Sequence, residues 1–207
     1  MISFSLLALF IPTFFVVSVT PGMCMTLAMT LGLTIGVRRT LWMMMGELVG
    51  VGLVAIASVV GVAAIMLNYP DVFSLLKWAG GAYLVYLGVQ MWRSKGRMAI
   101  PEGGDYSYSC SRKDLALQGF VTAVANPKGW AFFVSLLPPF ISTHYAIAPQ
   151  VVALVCIILV LEFICLTIYA SGGRTLRHFL EKGANVRLMN RCAGSLMMLV
   201  GIWLAVF

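Results

Sequence analysis

Two of the seven acidic residues, Glu47 and Glu162, stand well inside long apolar runs of the chain. An ionised carboxylate in hydrocarbon costs several kcal/mol by most estimates, so such a group is rarely idle. Its charged and neutral forms lie close enough in free energy for it to take up a proton on one side of a membrane and release it on the other, or to hold a substrate amine. A structural reading stands beside this one. Glu47 lies within about ten residues of Arg38 and Arg39 and could pair with them or reach an interface. Glu162 is harder to explain that way, because no basic residue is near it in sequence. On helical spacing Glu162 shares a stripe with Cys165 and Tyr169, and Glu47 one with Val54 and Ser58.

Two backbone interruptions accompany these side chains. Thr20-Pro21-Gly22 cuts the first apolar run near its middle, and Asn126-Pro127-Lys128-Gly129 cuts the fourth in the corresponding place. Proline removes an amide donor and frees the carbonyl one turn earlier, and a following glycine lets the backbone unwind. In lipid the freed groups must face protein or water. Either proline alone could merely kink a packed helix. Two breaks in matched positions point to a central binding site, whose freed backbone groups would hold the charged ends of a solute. Lys128 has three readings here: it snorkels, it meets a substrate carboxylate, or it neutralises a glutamate.

The elements that must position these residues follow from composition. Hydrophobic residues make up 61% of the 207 residues and charged ones only 10%, with a mean hydropathy of +0.97. That leaves too few polar groups to cover a soluble domain, which typically has about 25% charged residues. The sequence predicts an all-α integral membrane protein forming a single membrane domain over residues 1–207. Runs of the roughly 20 apolar residues that cross a bilayer lie near 3–36, 42–67, 71–92, 114–140, 149–172 and 189–207. The first is too long for one straight span, about 50 Å at 1.5 Å per residue, which again favours a broken helix. The N-terminus lacks a basic stretch and a cleavage site, and it reads as a retained first span.

Charge sorts the connections. Twelve of the fourteen Lys and Arg residues (38, 39, 93, 95, 97, 112, 113, 174, 177, 182, 187 and 191) follow the odd-numbered spans. The loops at Asn68–Asp71 and Ser142–Gln150 have none. The positive-inside rule therefore places the basic loops in the cytoplasm and both termini outside. The net charge of +7 is read as this topology signal, with no nucleic-acid partner. The hydrophilic segment 93–113 is a linker between two three-span halves, 1–92 and 114–207. An odd number of spans per half makes them inverted repeats, a plan shared by many secondary transporters.

Enzyme chemistry finds little footing. The five cysteines form no CxxC pair, only two histidines are present, and there is no phosphate-binding loop or triad-like nucleophile. No metal, cofactor or enzymatic activity is expected. Glycines at Gly32/Gly36, Gly46/Gly50 and Gly80-Gly81 with Gly88 read as close helix packing, which permits a homodimer without requiring one. Trp42, Trp92 and Trp130 read as span-end anchors. A membrane-embedded accessory or redox protein without transport activity is the rival reading.

The motifs, taken in order, resemble those of the lysine exporter / homoserine–threonine resistance (LysE/RhtB) family nearly end to end. Thr20-Pro21-Gly22 resembles its first-span Pro-Gly motif, Gly36-Val37-Arg38-Arg39 its basic turn, and Gly46-Glu47 its second-span acidic position. The run Leu76 to Gly88 is similar to its third span, Asn126-Pro127-Lys128 with Phe132-Phe133 and Leu137-Pro138 to its fourth, and Glu162 and Tyr169 to its fifth. The resemblance implies a secondary exporter of amino acids, driven by protons, in the bacterial cytoplasmic (inner) membrane. Its partners are then the amino acid, protons and the lipid bilayer. Thr20, Pro21, Gly22, Asn126, Pro127, Lys128 and Tyr169 become candidates for binding substrate, and Glu47 and Glu162 for proton coupling. One departure is Met23-Cys24, where the family often has Pro-Asn. That softer, more apolar break tilts the expectation towards neutral or hydrophobic amino acids.

Overall fold

The computed structural model describes residues 4–94, 111–137, 140–141 and 145–206. All regular structure among them is helical: α1 (Phe4–Val19), α2 (Met23–Thr34), α3 (Val37–Asn68), α4 (Pro70–Arg93), α5 (Arg112–Val124), α6 (Pro127–Leu136), α7 (Ile147–Ser171), α8 (Gly173–Glu181) and α9 (Gly183–Val206). The first apolar run is thus α1 and α2, separated at residues 20–22, and the two half-helices meet at a bend of 56°. The fourth run is likewise divided into α5 and α6 at Ala125-Asn126. Both sequence breaks are real breaks.

Among the described residues, two unbroken helices are long and apolar enough to cross a bilayer: Val37–Val62, with mean hydropathy 2.0, and Ile147–Ser171, with 3.1. The bent α1–α2 pair is a third. α4 and α9 are continuous helices of 24 residues each, in place of the runs at 71–92 and 189–207. α9 starts six residues before its apolar run and carries Asn185 and Arg187 on those first turns. α8 was not expected. It is short and strongly amphipathic, with Phe179 exposed and Leu180 buried. Most of the linker expected at 93–113 lies outside the described residues. Its far end is fixed where Ser111 and Asp114 cap α5 reciprocally, the Asp114 amide donating to Ser111 Oγ at 3.2 Å and the Ser111 amide to Asp114 Oδ2 at 3.0 Å.

Glycine decides how closely the helices approach. A Cβ on Gly46 would lie 1.8 Å from the Ala116 carbonyl oxygen, and one on Gly119 2.0 Å from that of Met43, so α3 and α5 touch backbone to backbone. Gly32 meets the Ala170 carbonyl in the same way, joining α2 to α7. Gly88 and Gly194 each approach the other's carbonyl along the α4–α9 seam. Gly36 departs from the packing expectation. Nothing lies within 4 Å of its would-be Cβ, and its φ of +83° makes it the turn that starts α3. Gly46→Leu should therefore force α3 from α5 and abolish the monodisperse, detergent-extracted species in size-exclusion chromatography. Gly61→Leu, where a Cβ meets nothing within 4 Å, should leave that peak intact. Equal behaviour of the two variants would refute the seam.

The basic ends of the helices gather together. Arg112 lies over the Trp42 ring at 5.3 Å, tying the start of α5 to that of α3. Arg191 lies over Trp92 at 5.2 Å, and Asn190 Nδ2 donates to Ser94 Oγ at 3.0 Å, tying the start of α9 to the end of α4. Aromatic rings collect at the opposite end. Phe10 meets Phe140 at 5.0 Å between centroids, Phe14 meets Phe132 at 5.7 Å and Phe133 at 6.1 Å, and Phe140 meets Trp203 at 6.3 Å.

Candidate functional site

The site begins with an amide that does not exist. Pro21 has no N–H to offer the carbonyl of Val17 one turn earlier, and Lys128 Nζ donates to that oxygen at 3.0 Å instead. Thr20 Oγ1 donates to Val16 O at 2.7 Å, and the Tyr169 hydroxyl donates to Val19 O at 2.7 Å. The second break is finished in the same manner. The Asn126 side chain accepts from the Lys128 amide at 3.1 Å, capping α6, and Trp130 Nε1 donates to Val124 O at 2.8 Å. The Asn126 amide group also faces Cys24 Sγ at 3.8 Å. The two interrupted helices are thus bound to each other. Each loose carbonyl named here already has a protein partner, so none of these is free to hold a solute as the sequence reading expects.

Between the breaks lies a cavity of about 60 Å³, measured as space open to the centre of a water-sized sphere. That is room for several waters. One part of its wall is polar: Ser18, Thr20, Cys24, Asn126, Lys128 and both glutamates. Another part is apolar, with Phe14, Val51, Val54, Phe132 and Phe133. α2 starts at this wall behind Gly22 with no side-chain cap, which sets the positive end of its dipole beside the cavity.

The glutamates sit unlike each other. Glu162 is 8% exposed and accepts a hydrogen bond from Ser18 Oγ. Glu47 is 0% exposed, and among the described residues neither of its carboxyl oxygens has a hydrogen-bond partner. Its neighbours are the Glu162 carboxyl and the Cys24 thiol. Leaving a buried polar group unpaired costs about 1–3 kcal/mol, and more if it is charged. Full burial on the cavity wall removes the reading in which Glu47 reaches the interface beside Arg38 and Arg39.

Of the candidates taken from sequence, Thr20, Gly22, Glu47, Asn126, Lys128 and Glu162 share this one cavity. Pro21 lies on the wall of an adjoining, larger cavity, together with Gly22 and Lys128. Pro127 starts α6 but is not on the lining of either cavity, and Tyr169 acts one step back, on the Val19 carbonyl. Ser18 and Cys24 were missed as site residues. Ser18 is the polar residue three positions before Pro21 in an otherwise apolar stretch, which is a usable signal. Cys24 enters the sequence reading only as part of a softer, more apolar break. Trp130, expected as an interfacial anchor, belongs to the second break.

The chain is also similar to known proteins. The model of the LysE type translocator family matches residues 15–206. A homoserine/homoserine lactone efflux protein of Salmonella typhi is 29% identical over 188 residues, covering 91% of this chain and 90% of its own length. An uncharacterized membrane protein of Vibrio cholerae is 28% identical over 190 residues, covering 92% and 91%. A leucine efflux protein of an Enterobacter species is 28% identical over 131 residues, covering 62% and 59%. No solved structure matches the chain significantly.

Proposed function

Because the chain belongs to the LysE type translocator family, we propose that it exports amino acids or close derivatives across the bacterial cytoplasmic membrane by proton-coupled alternating access. The observation that carries the proposal is the convergence of Glu47, Glu162 and Lys128 on one cavity between two broken helices. Glu47 and Lys128 come from different halves of the sequence, as expected if α1–α4 and α5–α9 are inverted repeats around a central site.

The chemistry follows from charge balance. Two carboxyls and one ammonium in a low-dielectric cavity are neutral together when one carboxyl is protonated and the other ionised. An arriving amino acid brings a carboxylate, suited to Lys128 and the uncapped N-terminus of α2, and an ammonium, suited to the ionised glutamate. Its binding disfavours the shared proton, which can leave on the side where the solute entered. After the solute is released on the other side, a proton returns to the pair. The exchange moves protons in and the amino acid out. Phe14, Val51, Val54, Phe132 and Phe133 offer the side chain an apolar wall, which suits neutral or hydrophobic amino acids. Orientation follows the charge asymmetry, with the basic ends in the cytoplasm and both termini outside.

Purified protein reconstituted in vesicles loaded with a mixture of amino acids should release one or a few of them when a pH gradient is imposed. The released compounds identify the substrate. If none leaves faster than from protein-free vesicles, the exporter reading fails.

A further inference from the structure

The larger cavity is not used by the mechanism above. It occupies about 370 Å³ on the same measure, between α2, α4 and α9. Gln90, Ser94, Val186 and Asn190 place it at the basic end of the bundle, beside Arg93, Arg187 and Arg191 in sequence. Gly22 and Lys128 line both cavities, so the two chambers share one partition. At the other end, the contacts among Phe10, Phe14, Phe132, Phe133 and Phe140 stand between the central cavity and the opposite face. Among the described residues, the larger chamber lies at the basic end and the aromatic contacts lie at the other.

The charge of the larger chamber is informative too. Its polar walls are neutral, formed by Thr26, Gln90, Ser94 and Asn190, and Lys128 is its charged lining residue. Thr26 Oγ1 bonds Gly22 O at 2.8 Å, Asn190 bonds Ser94, and Gln90 bonds the Tyr86 hydroxyl. With these groups already paired, the ammonium at the inner end is the feature that can sort solutes. A small solute bearing a carboxylate is drawn to the partition, whereas a simple amine is repelled.

We infer that the chamber between α2, α4 and α9 is the cytoplasmic entrance of the transport path, a first binding chamber for small carboxylate-bearing solutes that pass Lys128 carboxylate first. This rests on the transporter reading for its purpose, but accessibility can be measured without transport. Leu87→Cys and Met91→Cys, made separately one turn apart on the α4 wall of the chamber, should react with membrane-impermeant thiosulfonate reagents at least tenfold faster from the basic face than from the opposite face. Peptide mass spectrometry locates each adduct, so the native cysteines need not be removed. Leu199→Cys, on the exposed side of α9, serves as a control and should react slowly from both faces. An anionic sulfonate reagent and a cationic ammonium reagent are then compared. Adding Lys128→Met should lower the anion-to-cation rate ratio at Leu87→Cys at least threefold.

Reaction no faster than at Leu199→Cys, or faster from the opposite face, would overturn the entrance. An unchanged anion-to-cation ratio would overturn the carboxylate-first selection. If the vesicles export amino acids and the chamber cysteines stay silent, the exporter reading survives and the route lies elsewhere. One-sided labelling in vesicles that export nothing would leave the entrance standing and remove the function assigned to it.

Discussion

Glu162→Gln should reduce pH-driven efflux to the level of protein-free vesicles while the variant still reaches the membrane in normal amount. Glutamine keeps the shape of the side chain and an oxygen that can accept from Ser18, so the cavity wall survives. What it loses is the ability to exchange a proton, while Glu47 remains on the wall to meet the substrate ammonium. A pH difference of one unit stores about 1.4 kcal/mol per proton, enough for about a tenfold solute gradient at one-to-one coupling. Without the titrating group that free energy has no path to the solute. Solute exchange with no pH gradient should persist, which separates a coupling defect from a binding defect. Glu47→Gln should lose coupling as well. Its carboxyl has no hydrogen-bond partner among the described residues, and an amide of the same shape is left just as unpaired, so the unfolding temperature should change little. Full pH-driven efflux by either variant would remove that glutamate from the mechanism.

How much of this arrangement was legible in the chain depends on where the information lies. Proline and glycine act on their own backbone, so the breaks at Pro21-Gly22 and Asn126-Pro127 could be placed to within a residue or two. Carboxylates in apolar runs are costly wherever the helix packs, so Glu47 and Glu162 stood out alone. The partners of the broken ends were not legible. Lys128 reaching Val17 and Tyr169 reaching Val19 join residues 111 and 150 positions apart, and no local pattern encodes such a meeting. Gly36 and Gly46 illustrate the same limit. Both looked like packing glycines, yet one is a turn with positive φ and the other a backbone contact, a difference that only tertiary structure decides. α8 escaped notice because a search for apolar runs passes over a short helix with an alternating face.

The second large effect is expected at Lys128, and it tests whether this lysine and Glu162 act as a pair. Lys128→Met keeps most of the side-chain volume but removes the donor to Val17 O and the positive charge of the cavity. Hydrogen bonds to charged groups contribute about 1.5–3 kcal/mol, so the unfolding midpoint in detergent should fall clearly. Efflux should fall with it, because the cavity now holds two carboxyls with no compensating cation and no charge for the substrate carboxylate. Lys128→Arg should not restore efflux. The planar guanidinium is bulkier than an ammonium, and on the wall of a cavity of about 60 Å³ it would crowd Asn126 and Phe132 and pair bidentately with a glutamate carboxylate, leaving no free charge for the solute. The decisive comparison is the double variant Lys128→Met with Glu162→Gln. If the lysine balances the carboxylate, removing both should be less damaging to stability than the sum of the single losses, with a coupling in the range of about 0.5–3 kcal/mol usual for residues in contact. Single losses that add to within about 0.5 kcal/mol would mean that Lys128 serves only the Val17 carbonyl. The charge balance on which the transport cycle depends would then have to come from another residue.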